Sequence, residues 1–175
     1  MASQTANNIS SWKTYANTKY DYQIKYPADW TIEVDGVAVW QNQVPNPELG
    51  SRIMFFGTKT EPHGQTARTL WNIRVFVDPT ENPKKLSPRD WFIAQSKLHF
   101  SYGVEQKFDN LENTTFKGLL ALKIRGNPGE GYSLLIAKGS TIYNLTFSFE
   151  KFSGGEFDVP PEQIFLEMLD SFILS

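Results

Sequence analysis

One stretch of the chain alternates without a break. Tyr143, Leu145, Phe147 and Phe149 are apolar, and Asn144, Thr146, Ser148 and Glu150 between and after them are polar. A period of two sends successive side chains to opposite sides of an extended backbone, so this stretch reads as a strand with one buried face. Tyr132, Leu134 and Ile136 repeat the pattern upstream, and Leu120, Leu122 and Ile124 repeat it again. Lys138-Gly139-Ser140 is a short linker containing glycine, which predicts a hairpin between the last two strands. The second half therefore reads as a meander. Aromatic residues make up 14% of the chain, and rings pack well on pleated surfaces, so a sheet-rich core is favoured over a helical bundle.

The first half carries the same period. Tyr22, Ile24 and Tyr26 alternate with Gln23 and Lys25, and Pro27 stops that strand because it has no N–H to offer a ladder. Trp30, Ile32 and Val34 begin another. Asp35-Gly36 signals a hairpin turn, with Val37 to Gln41 as the return strand. Arg52 to Phe56 and Trp71 to Val77 read as further strands, with polar loops expected at 41–51 and 57–70.

Two helices interrupt the strands. Ser87 can cap the first, Pro88 suits its opening position and Asp90 completes a capping box. Trp91, Ala94, Gln95 and Leu98 follow on one face, and Gly103 ends the segment. Pro160-Pro161 opens the second, where Ile164, Phe165, Met168, Leu169, Phe172 and Ile173 form one apolar stripe. The expected fold class is α+β, a mostly antiparallel sheet of six to eight strands sandwiched by helices. Residues 1–10 read as a polar tail and 11–175 as a single domain, since 175 residues suffice for one core and are few for two.

The stretch WKTYANTKYDYQIKYPADW, from Trp12 to Trp30, resembles the opening of PsbP-like domains: an aromatic strand, then Tyr26-Pro27, two residues and Trp30. The closing PPEQIFLEMLDSFILS resembles the final helix of the same family, and the order of elements between the two ends matches as well. That family includes an extrinsic subunit of photosystem II and many small bacterial lipoproteins. The resemblance implies an α/β/α sandwich, shared also with a Ran-binding release factor, and a fold so widely used supplies no function by itself. It also implies export, with a lipidated cysteine upstream as anchor. This sequence has no cysteine. The photosynthetic role is not carried over, because no photosystem-specific segment is matched.

The absence of cysteine excludes disulfides, thiolate metal sites and thiol catalysis within these residues. Seventeen basic and nineteen acidic residues are scattered without blocks, which gives no footprint for nucleic acid. No apolar run is long enough to span a bilayer. The opening MASQTANNISS lacks the apolar core of a signal peptide, so an export signal would lie upstream; a cytoplasmic protein is the alternative.

Motifs that could carry chemistry are few. His63 lies near Glu61 in GTKTEPHGQTAR, yet a metal site needs three or four convergent ligands, so no metal and no cofactor is expected. His99, late on the first helix, is favourable there as a cation and reads as structural. There is no G-x-S-x-G, and the glycine-rich stretches at 126–131 and 153–155 lack the Lys-Ser/Thr of a phosphate loop. Glu156 and Asp158 read as solvated acids. Trp30, Trp71 and Trp91 sit on regular patterns and read as core. Trp12 and Trp40 lie beside polar segments and, with His63, form the candidate recognition surface. Three functional readings stay open. The first is a monomeric, non-catalytic binding or assembly module at a bacterial envelope or thylakoid, with a protein or envelope partner. The alternatives are a hydrolase-type enzyme with a loop-built site and a cytosolic partner-binding regulator.

Overall fold

The computed structural model describes residues 12–34, 37–39, 52–63, 66–99, 110–125, 131–151 and 161–175. Eleven strands and two helices follow in the order β1 (Lys13–Asn17), β2 (Tyr22–Tyr26), β3 (Thr31–Val34), β4 (Val37–Val39), β5 (Ile53–His63), β6 (Thr66–Glu81), α1 (Pro88–His99), β7 (Leu111–Phe116), β8 (Leu119–Arg125), β9 (Tyr132–Lys138), β10 (Thr141–Lys151), α2 (Pro161–Ser171) and β11 (Ile173–Leu174). Eight strands form one sheet in the order β4-β3-β5-β6-β10-β9-β8-β7, and β1-β2-β11 form a second, three-stranded one. Every described pairing is antiparallel. The fold class is α+β, as the alternation requires.

Period two decides which face each residue covers. Phe55, Val75, Leu145 and Leu134 face one side of the large sheet, where the small sheet and α2 close over them. Phe165 of α2 stacks on Phe147 at a centroid distance of 5.0 Å and meets Tyr132 edge-on at 5.2 Å. Leu122, Leu135 and Ile142 face the other side, and Trp91 and Phe92 of α1 pack on them. A helix thus lies against each face of the sheet. Ser87 caps α1 as its sequence requires: the Asp90 N–H donates to Ser87 Oγ at 3.1 Å, and that hydroxyl donates to the Asp90 carboxylate at 2.6 Å.

Several elements differ from the sequence reading. The stretch at 57–70 was expected to be a loop, yet β5 runs to His63 and β6 starts at Thr66, as two arms of a long hairpin with a register shift between Lys59 and Thr60. Gly57 and Pro62 read as loop punctuation. Their neighbours Thr58, Thr60 and Thr66 are β-formers, and the extended ladder prevails over the two breakers. Strand β7 has no signature in the sequence, because its polar LENTTF carries no apolar alternation, as befits the edge of the sheet. Ile173 was assigned to the buried stripe of the last helix. The helix stops at Ser171, and Ile173 pairs with Gln23 in β11 and is exposed.

Candidate functional site

Helix α1 covers the β8–β9 end of its face of the large sheet. Beyond it, on β5 and β6, that face continues through Arg52 just before one strand, Met54 and Phe56 within it, and Arg74 and Phe76 on the next. The register sets Met54 opposite Phe76 and Phe56 opposite Arg74. The Arg52 guanidinium lies over the Phe76 ring at 4.6 Å, and that of Arg74 lies 5.7 Å from the centre of Phe56. Arg74 also reaches Glu150 on β10 at 3.3 Å, in a solvent-exposed pair that holds the guanidinium in place more than it stabilises the fold. Thr146 and Ser148 of β10 stand opposite Phe76 and Arg74. Both rings are half-buried.

The sequence carries a signal for this surface. Ile53-Met54-Phe55-Phe56 and Val75-Phe76-Val77 are continuous apolar runs, the mark of strands dressed on both faces. Arginine at Arg52 and Arg74 punctuates the second face at the same period.

Of the recognition residues proposed from sequence, Trp12 alone has a described side chain. Trp12 is half-buried and packs against the main core, at the start of β1. His63 ends β5, its backbone paired with Thr66 and its side chain outside the described set. Trp40, the 41–51 loop, Asp35-Gly36, Gly103, the stretches at 126–130 and 153–155, Glu156 and Asp158 lie outside the described residues, as do the side chains of Trp71 and His99. Among the described residues no three His, Cys, Asp or Glu side chains converge as metal ligands.

The displaced proton affinities describe packing. Burial pushes the Tyr22 hydroxyl far up, the nearby Tyr15 adds to this, and Asn17 offsets a little of it without completing a hydrogen bond. Burial likewise raises Tyr26 and Tyr143, and lifts Tyr132 to about 12 with help from Glu162. On the surface, Glu112 is held down by a hydrogen bond from Arg125 at 2.7 Å. A buried tyrosine kept neutral stabilises a core but offers no base to a substrate.

No family model and no curated protein matches the chain. The solution structure of cyanobacterial PsbP (CyanoP) from Synechocystis sp. PCC 6803 is similar to it, with 16% identity and a TM-score of 0.47, covering 100% of this chain and 99% of that one. A crystal structure from Bacteroides thetaiotaomicron VPI-5482 is also similar, at 12% identity and a TM-score of 0.44 over 94% of this chain. The chain spans about half the length of that protein, 49% of it. No helix among the described residues is long and apolar enough to cross a membrane.

Proposed function

We propose that this PsbP-like chain is a non-catalytic binding module whose partner is another protein. The observation that carries the reading is the β5–β6 surface, where Arg52 and Arg74 are laid against Phe76 and Phe56 beside Met54. Arginine, aromatic residues and methionine are the types enriched at the cores of protein interfaces. Stacking on the rings fixes both guanidinium groups before any partner arrives, which lowers the entropy lost on binding. Nothing in that arrangement pairs a nucleophile with a base; it offers shape, apolar area and two oriented cations. The resemblance in sequence supports placing the protein outside the cytoplasm.

Site-specific photocrosslinking in the native host tests this. A benzoylphenylalanine at position 76 or 56 is expected to give one discrete adduct, and the same group at Thr14, on the outer side of the small sheet, none. No adduct from either face position, or equal adducts from all three, overturns the reading. Fractionation of that host checks the compartment, and recovery in the cytoplasmic fraction would refute export.

A further inference from the structure

Two polar side chains are fully buried among the described residues, Asn17 and Asn82, each 1% exposed. Both organise turns. Asn82 sits where β6 ends: its amide donates to the Leu86 carbonyl at 2.8 Å, its side-chain oxygen accepts from Leu86 N–H at 3.0 Å, and its own carbonyl accepts from Lys85 N–H at 2.9 Å. Asn17 ends β1 and accepts from Tyr20 N–H at 3.0 Å. The loop at Asn82 presents Lys84 and Lys85, and the turn at Asn17 presents Lys19, all exposed.

These turns lie at one end of the molecule and are stitched to each other. Asn82 N–H donates to Ser140 of the β9–β10 turn at 2.7 Å, and the Tyr143 hydroxyl donates to Tyr20 O at 2.7 Å. Ser175 N–H donates to Asp21 O at 2.8 Å, while Lys138 donates to Ser175 O. Lys117, on the β7–β8 turn, reaches the carbonyl of Phe172 at 3.1 Å. The end therefore collects Lys19, Lys84, Lys85, Lys117 and Lys138 against Asp21, Glu81 and Asp170, in a chain of net charge −2. It also holds all three described non-glycine residues with positive φ, Asp21 at 48°, Lys85 at 50° and Lys117 at 49°. Such conformations cost free energy, and Lys85 is surface-exposed, so its backbone is held there by the Asn82 clamp and not by burial of its own side chain.

We propose that this rim of turns docks a carboxylate-rich protein surface through the exposed Lys84-Lys85 pair. The proposal rests on the binding-module reading but uses different residues. The excess of lysine calls for carboxylates, and the acids interspersed among them argue for a protein over a phosphate polymer or an anionic bilayer: a protein can set its carboxylates opposite the lysines and away from the acids, whereas phosphate-rich partners present charge everywhere and reward lysine alone.

The test is fluorescence anisotropy of a labelled glutamate-rich peptide titrated with the intact protein. Saturable binding is expected, weakening as salt rises, and K84E/K85E should weaken it about tenfold or more. K13E/K25E makes the same charge change at the opposite end of β1 and β2 and should leave affinity within about twofold. Equal losses for the two pairs, or no saturable binding, overturn the proposal, as does tighter binding to phosphatidylglycerol vesicles or to single-stranded DNA than to the peptide. Persistence of the position 76 adduct in K84E/K85E would leave the wider binding reading standing when this one fails.

Discussion

The Lys117 ammonium donates to the carbonyl oxygen of Phe172 at 3.1 Å and to that of Asp170 at 2.5 Å. Helix α2 has no basic residue in its last turn, so a cation carried by the β7–β8 turn completes its C-terminus from outside. Exposed carbonyls at a helix end carry partial negative charge, and a cation there is favourable. Lys117→Met keeps the unbranched apolar stem of the side chain and removes the charged amine. It is expected to lower stability by about 1 kcal/mol, read as a lower urea midpoint with an unchanged slope. An unchanged midpoint would mean that water serves those carbonyls equally well.

Gly57 and Trp30 form the second pair with a measurable consequence. Trp30 directly precedes β3, after a turn in which its N–H donates to Pro27 O at 3.0 Å, and its buried indole lies directly on Gly57 of β5. A Cβ at Gly57 would clash with the Cε2–Nε1 side of the indole, so Gly57→Ala should cost about 1–3 kcal/mol through overpacking. Trp30→Ala should cost about 3–5 kcal/mol. In the Trp30→Ala background the methyl fills vacated space, and the cost of Gly57→Ala should vanish or change sign. Additive losses in this double-mutant cycle would show that the two residues do not share one volume.

That pair also shows what the sequence makes legible. Trp30 sits on an alternating strand and announces itself as core. Gly57 has no side chain to carry a period and reads as a break, although here it is the floor beneath a ring. The same holds for the stripe of α2, where Ile164, Phe165, Met168 and Phe172 are buried as their spacing demands. Ile173 continues the spacing but not the helix, because pairing with Gln23 of β2 captures it. Binding surfaces are harder still. Arg52, Phe56, Arg74 and Phe76 come from two strands that meet only through their register, and the five rim lysines come from four separate turns. No local pattern records which turns share an end of the molecule.

Phe165 tests whether α2 is part of the core or a detachable arm. It is fully buried and stacked on Phe147, with ring planes 13° apart. Phe165→Ala is expected to cost about 3–5 kcal/mol, a large part of the roughly 5–15 kcal/mol that holds a domain together. A chain ending at Asp158 should lose cooperative unfolding altogether. A soluble, cooperatively melting truncation would show instead that α2 covers a surface able to stand alone.

Alkaline pH addresses the tyrosine core directly. Tyr22, Tyr26, Tyr132 and Tyr143 all hold their protons more tightly in the folded chain than the ordinary tyrosine value of about 10, chiefly because burial penalises the phenolate. Below that value both folded and unfolded chains are protonated, and the stabilisation is fully present. Above it the unfolded chain releases protons that the folded chain keeps, so stability falls as pH rises and continues to fall until the folded hydroxyls titrate, near 12 for Tyr132. Urea unfolding should therefore give a constant free energy from neutral pH to about 9.5 and a steep decline beyond it. Phenolate absorbance should show part of the seven tyrosines titrating in the native protein and the remainder only on unfolding. Tyr22→Phe removes a buried hydroxyl that has no hydrogen-bond partner among the described residues. That variant should be as stable as the parent at neutral pH, or more so, and should lose less on the alkaline side. All seven tyrosines ionising together near pH 10 in a chain that stays folded would contradict the buried position assigned to Tyr22.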